Sequence, residues 1–483
     1  MDTTERTGRG PNGDGGADTM PLHLQQGLVH VLAQGGHIRS RRVEDAFRAV
    51  PRHLFVPGVP LKQVYADEVI PTKFEGGRSI SSSSQPAIMA VMLEQLDARP
   101  GQRVLEIGAG TGYNAALLAH IVGPDGYVTT VDIDDDIVEG ARAHLAAAGF
   151  GPDRVRVVRA DGVLGHPEGA PYDRIILTVN AEDIAPAWRQ QLRPGSGARL
   201  VLPLTIRDGI QAAVAFEPDD TASSGRLVGV STELCSFMPL RGSLAGAWTE
   251  APLLSDPDLS LGLDGERDRA IDAAAIDAWL HGPSHDLLTG VQATSREVLN
   301  SLGLWLAIHE QGYCTISARD KPAGRDPRDD EGAADNAAGR DPARGLPLMR
   351  GAQRLHGSHG VLAERGLCLL MLTRRSAERA VGDQDTGGRQ GQVEGQGQSG
   401  GDALAMVGVR AYGDEAAAAR AGTGTAARLA ARVVAWGAAG RPTADRLRLS
   451  IYPRDGSVLP PAPSPERAVV RKRWTDLALE WGG

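Results

Sequence analysis

The chain has 483 residues, more than one sheet-and-helix domain needs, and this length predicts two or three domains. A net charge of -9 and a pI near 5.8 argue against a nucleic-acid surface as the main partner. Cys235, Cys314 and Cys368 lie far apart in apolar contexts, which is neither a disulfide framework nor a zinc spacing and agrees with a reducing cytoplasm. No stretch reaches the roughly eighteen apolar residues of a membrane span, so no membrane partner is expected.

In chain order, residues 1–20 are polar and glycine-rich, lack a signal peptide's apolar centre, and read as a disordered tail. A helix is expected over Ala87–Leu96. Val104-Leu-Glu-Ile-Gly-Ala-Gly-Thr-Gly-Tyr-Asn114 reads as a buried strand, a tight glycine turn and the start of a helix over Ala115–Ile121. A second strand, Val128–Asp132, ends in an acid twenty positions after Gly112, where a carboxylate can accept hydrogen bonds from ribose hydroxyls. A helix over Ile137–Ala148 follows, with Asp134, Asp135 and Asp136 at the end that a helix dipole favours for acids. Strands are expected at Val155–Arg159, ending in Asp161-Gly162, at Asp173–Val179, with Thr178 and Asn180 at the ligand edge, and at Ala198–Pro203. Strands alternating with helices predict an α/β fold with a doubly wound, mostly parallel sheet and its ligand at the strand C-terminal ends.

The glycines alternate as G-x-G-x-G with Glu106 two residues before them, where a dinucleotide site would offer G-x-G-x-x-G to a pyrophosphate. A carboxylate there suits a ligand with an amino acid moiety and a cationic centre. The E-x-G-x-G-x-G pattern resembles motif I of S-adenosylmethionine-dependent methyltransferases; a purely structural turn and a dinucleotide site are the competing readings. The resemblance implies S-adenosyl-L-methionine as cofactor. The residues it places at the cofactor are Glu106, Gly108, Ala109, Gly110, Gly112, Tyr113, Asp132, Ile133, Asp161, Gly162 and Thr178.

Upstream stand Val50-Pro-Arg-His-Leu-Phe-Val-Pro57, Tyr65-Ala-Asp67 and Gly77-Arg-Ser-Ile-Ser-Ser-Ser-Ser-Gln-Pro86. With the glycine turn, these resemble protein-L-isoaspartate O-methyltransferases over about Leu28 to Leu204. The resemblance implies methyl transfer to the side-chain carboxylate of an aspartyl or isoaspartyl residue in a peptide or protein. A carboxylate is anionic at neutral pH, so no strong general base is needed, and the task is one of proximity and orientation. In the family, a serine just before the Q-P or A-P pair lies at the active site. This chain inserts three extra serines there, so the residue is Ser84, anchored by Gln85-Pro86, or Ser81, anchored by Ile80; Ser84 is preferred. The plain alternative is that Ser84 only caps the following helix.

Beyond about Asp220 the resemblance stops. Residues 21–220 are assigned to the methyltransferase domain and 221–483 to an accessory α+β domain. Strands are expected near Leu227–Val230, Leu234–Leu240, Leu367–Leu372, Leu404–Val409 and Leu447–Tyr452, and helices near Ile271–Leu280, Arg296–Ile308 and Ala426–Trp436. Ala468–Trp481 reads as a strand pair or a helix. Insertions at about 318–345, with Gly-Arg-Asp-Pro twice, and at 382–402, rich in Gly and Gln, are expected to be unfolded. His356-Gly-Ser-His359 lacks the further ligands of a metal set, and Trp279, Trp305, Trp436 and Trp474 read as core.

The long second part resembles an extended actinobacterial form of the family associated with ribosomally made peptides such as lanthipeptides. That resemblance implies a precursor peptide whose aspartyl ester closes to an aspartimide and then hydrolyses to isoaspartate. General isoaspartate repair is the alternative, a small-molecule methyltransferase is weaker, and a non-catalytic cofactor- or peptide-binding protein is the reading from another class. The sequence leaves the oligomeric state open.

Overall fold

The computed structural model describes residues 20–482 except 76–77, 196, 208–209, 220–224, 244–248, 254–255, 264–271, 320–348, 351–354, 374–402 and 465–466. The expected tail and both expected insertions therefore lie almost wholly outside the described residues.

The N-terminal part begins with α1 (Met20–Gln34), α2 (Arg41–Ala49) and α3 (Leu61–Val64), none of which the sequence reading marked. The buried Gln25 amide donates to the carbonyls of Phe47, Arg48 and Val50, tying α1 to the end of α2. An antiparallel hairpin of β1 (Ile70–Glu75) and β2 (Arg78–Ser83) follows, then α4 (Pro86–Leu96). Ser81, Ser82 and Ser83 of the serine run are thus strand, with Ser84 just past its end. Alternation along it buries Ser81 and Ser83 and leaves Ser82 and Ser84 half-buried.

The sheet is built from β3 (Arg103–Ile107), α5 (Tyr113–Val122), β4 (Tyr127–Asp132), α6 (Asp135–Ala147), β5 (Val155–Arg159), β6 (Arg174–Leu177), α7 (Pro186–Gln191) and β7 (Arg199–Arg207). Its parallel half runs β5-β4-β3-β6-β7, with the order reversing at β3, where such sheets open a crevice. Val104, Leu105 and Ile107 are all below 2% exposed because a parallel strand is covered on both faces. Antiparallel β8 (Ile210–Pro218) and β9 (Leu227–Cys235) extend the sheet. The two short strands expected around residues 227–240 are one strand, followed by a segment that bridges Asn180 to Pro239.

The next elements are β10 (Thr249–Leu253), β11 (Asp256–Leu263), α8 (Ala273–His281), β12 (Ser284–Ala293), α9 (Ser295–Glu297), α10 (Gly303–His309), β13 (Tyr313–Arg319), β14 (Met349–Arg350), β15 (Leu355–Ala363), β16 (Gly366–Thr373), β17 (Ala405–Gly413), α11 (Asp414–Arg420) and α12 (Gly424–Ala438). Their strands form a second, antiparallel sheet, ordered β10-β11-β13-β15-β16-β17-β12 with β14 beside β15. A π turn, Val298–Leu302, joins α9 to α10. His359 fills the space beside it: one ring nitrogen meets the Leu299 carbonyl at 2.9 Å and the other the Tyr313 hydroxyl at 2.5 Å. Burial pulls this imidazole down to about 4, so it is neutral and fully engaged in the core. Trp436 is likewise core, its indole donating to Ser301.

The accessory region does not run to the end of the chain as a separate unit. β18 (Leu447–Pro453), β19 (Arg467–Arg471) and β20 (Thr475–Trp481) return to the first sheet beyond β9, in the order β9-β18-β20-β19. Leu447, Leu449, Ile451, Leu477 and Leu479 share a core with Leu202, Val214 and Trp188. The buried Asp183 carboxylate fixes the return, accepting from Trp474 N and Thr475 Oγ1. Ala468–Trp481 is therefore the strand pair. No helix among the described residues is long and apolar enough to cross a membrane.

Candidate active site

At the end of β3 the chain turns through Gly108, Gly110 and Gly112 with φ of 101°, 49° and 86°. A Cβ at Gly108 would lie 2.6 Å from Thr178 Oγ1 and one at Gly112 would lie 3.2 Å from the Ala141 carbonyl, so sterics and backbone sign both demand glycine. Val131 O accepts from the N–H of Gly108 and of Ala109, and Thr178 Oγ1 donates to Gly108 O at 2.6 Å. β4 and β6 thus clamp the turn from either side.

Glu106 has zero exposure, and its two oxygens accept from Asn114 Nδ2 at 2.8 Å and Thr130 Oγ1 at 2.5 Å. It is a strut between β3, α5 and β4, with its oxygens turned to protein groups. Burial pushes its carboxyl up to about 7 against those two hydrogen bonds. Tyr113 is also internal, packed edge-on to Phe47 and against Phe55.

Asp132 accepts from Gly110 N at 3.2 Å and Ile133 N at 2.9 Å, so its carboxylate closes the turn while retaining lone pairs for a further donor. Asp161 accepts from Val163 N, Ser243 N and Ser243 Oγ at 2.8–3.0 Å. These bonds hold its carboxyl below the usual range although burial opposes them. Gly162 is needed because a Cβ would lie 2.5 Å from Ile107 Cγ2.

Ser243 belongs to a segment after β9 that sequence reasoning missed. Asn180 N donates to Met238 O and Leu240 N to Asn180 O, drawing the segment along the strand ends. Arg241 makes a two-point ion pair with Asp134, and Lys73 of β1 bridges Asp134 and Asp136 at 2.8 and 2.7 Å. The acids expected only to favour a helix N-terminus also bind the two elements flanking the glycine turn.

The serine strand lies against that turn: a Cβ at Gly110 would be 3.6 Å from Ser82 O. Ser81 Oγ accepts from Thr72 Oγ1 at 3.3 Å, and Ser83 Oγ accepts from Arg52. The Ser84 hydroxyl makes no hydrogen bond within the described residues. It does not cap α4. Asp67 does so at long range, accepting from Ala87 N at 2.8 Å and from Gln85 Nε2 at 3.0 Å. Asp67 and Arg52 stood in the motifs upstream, but their partners lie 12 to 32 positions away and no local pattern reveals them.

A side-chain-free turn at the switch point and an acid at the end of the next strand fit S-adenosylmethionine. The protein is an S-adenosylmethionine-dependent methyltransferase. The family described as protein-L-isoaspartate(D-aspartate) O-methyltransferase matches residues 23–245, so the family region extends past Asp220 to include β9 and the Arg241–Ser243 segment. A protein-L-isoaspartate O-methyltransferase of Methanopyrus kandleri is 39% identical over 226 residues, 47% of this chain and 94% of that one. One of Hyperthermus butylicus is 38% identical over 230 residues, 46% and 90% of the two chains. A solved structure of a protein-L-isoaspartate O-methyltransferase aligns with a TM-score of 0.42 and 23% identity over 88% of this chain and 96% of that one. The chain belongs to the protein-L-isoaspartate O-methyltransferase family.

Proposed function

We propose that the chain methylates the side-chain carboxylate of an aspartyl or isoaspartyl residue in a peptide or protein. The observation that supports this reading is the serine strand packed on the glycine turn through the Ser82 carbonyl, with the half-buried Ser84 just past the strand's end. Bound cofactor supplies an electrophilic methyl carbon on a sulfonium. Ser84 and nearby backbone N–H groups hold the acceptor carboxylate, whose oxygen is already a nucleophile, so orientation does most of the work. Ser81 is engaged with Thr72 and plays the lesser part. Asp132 and Asp161 hold the adenosine end, while Glu106 and Thr178 keep the turn in shape.

The finer reading is a ribosomally made precursor peptide. The matched relatives are almost covered by 226 and 230 residues, whereas this chain carries a further sheet and a returning hairpin. That surplus suits recognition of one peptide better than of any damaged protein. Methylation of an Asp side chain lets the next backbone nitrogen attack the ester; methanol leaves and an aspartimide remains.

The test is methyl transfer from labelled cofactor to paired peptides identical except for Asp or isoAsp. Transfer to Asp supports the precursor reading, and transfer to isoAsp alone supports repair. Cofactor binding without transfer to either peptide or to a full-length partner refutes both readings in favour of a non-catalytic binder.

A further inference from the structure

The V-P-R segment holds a side chain that the reading above does not use. Arg52 is 0% exposed in a short helical turn, Arg52–Phe55. Its Nη1 donates to the carbonyls of Val64 at 2.8 Å and Ala66 at 3.3 Å. Its Nη2 donates to those of Glu68 at 3.2 Å and Ser84 at 2.9 Å, with Ser83 O at 3.5 Å and Ser83 Oγ at 3.3 Å. One guanidinium therefore gathers five backbone carbonyls from two separate segments, the approach to β1 and the end of β2. The nearest acid acting on it is Asp67, through space rather than as an ion pair.

Burying a guanidinium is costly unless its donors are satisfied; here carbonyl dipoles satisfy both Nη groups, while Nε is buried without a partner. Tethering two loops could be done by neutral groups at less desolvation cost. What the planar fork adds is direction, because donors fixed in one plane fix the peptide planes that accept from them. The peptide so fixed is Ser83–Ser84, one residue from the Ser82 carbonyl that packs on Gly110.

We propose that Arg52 is a positioning residue for methyl transfer, holding the Ser83–Ser84 backbone so that the Ser84 hydroxyl orients the acceptor carboxylate. This rests on the carboxyl-methyltransferase reading above. The glycine turn is held independently by Val131 O, so cofactor affinity does not depend on Arg52. Lysine keeps the charge but loses the fork, and an orientation error of about an ångström costs on the order of a hundredfold in rate.

The test uses the full chain, S-adenosylhomocysteine for binding, and whichever of the paired Asp and isoAsp peptides the parent protein methylates. Arg52→Lys and Arg52→Met are expected to lower kcat by ten- to a hundredfold, methionine more than lysine, with the S-adenosylhomocysteine Kd within about threefold of the parent. Folded variants with kcat within twofold of the parent, or with cofactor affinity lost in proportion to rate, overturn the proposal. If neither variant folds, Ser83→Ala removes one Nη2 acceptor and must lower kcat at least about threefold at unchanged Kd; an unchanged kcat overturns it. Failure of the parent to methylate either peptide sinks the underlying reading, whereas an active parent with equally active variants sinks only this inference.

Discussion

Glu106 offers a test of how the site is built. Its carboxyl is wholly buried and moves from an ordinary 4.5 to about 7. That displacement corresponds to on the order of 3 kcal/mol of preference for the protonated form in the folded protein. Between about pH 4.5 and pH 7 the unfolded chain has released this proton and the folded one still holds it. Linkage then makes the folded state lose stability as pH rises through that window; the loss is absent below 4.5 and complete above 7. Glu106→Gln cannot ionise and keeps an acceptor for Asn114 and a donor for Thr130, whose hydroxyl can reverse its role. The variant should exceed the parent by less than about 1 kcal/mol near pH 5 and by on the order of 3 kcal/mol near pH 8. Urea denaturation of both proteins between pH 5 and pH 8 measures this, since other titrating groups cancel in the difference. A difference independent of pH would mean that Glu106 is ionised throughout, and the buried-strut account of the glycine turn would fail.

Asp132→Ala removes the acceptor of Gly110 N and the lone pairs available to ribose hydroxyls. S-adenosylhomocysteine should bind about ten- to a hundredfold more weakly by calorimetry, the scale of one or two charge-assisted hydrogen bonds; equal affinity would remove Asp132 from the cofactor site. Asp183→Ala deletes the buried acceptor of Trp474 N, Thr475 Oγ1 and Ile184 N, leaving three donors without that partner. A loss of about 2–4 kcal/mol and faster proteolytic release of the C-terminal hairpin are expected; unchanged proteolysis would show that Asp183 does not hold the hairpin and that its pairing through β18 with β9 and its apolar contacts suffice.

The glycine turn and the acid that closes it were legible because their signals are local. Gly108, Gly110 and Gly112 must be glycine to turn within five residues, and Asp132 follows at the end of the next strand. Each fact needs only a strand, a turn and a helix in sequence. The same locality found α4, α6, α12 and the strands β16, β17 and β18, but none of β10 to β15. Period-2 alternation cannot be read when four consecutive residues are identical; pairing with β1 made Ser81, Ser82 and Ser83 strand and sorted their hydroxyls.

What tertiary structure alone decided lies between distant residues. Asp67 caps a helix twenty positions on, Arg52 reaches 32 positions to Ser84, and Ser243 occupies Asp161 from 82 positions away. The C-terminal strands advertised their alternation but not their partner, since Leu447, Leu449 and Ile451 would suit either sheet's apolar face. By itself the sequence determined where the chain must bend and which strand ends carry acids, because backbone sterics and hydrophobic period are written residue by residue. Which strand meets which sheet, and which serine backbone packs on the glycine turn, depended on contacts across the folded chain that no window of sequence contains.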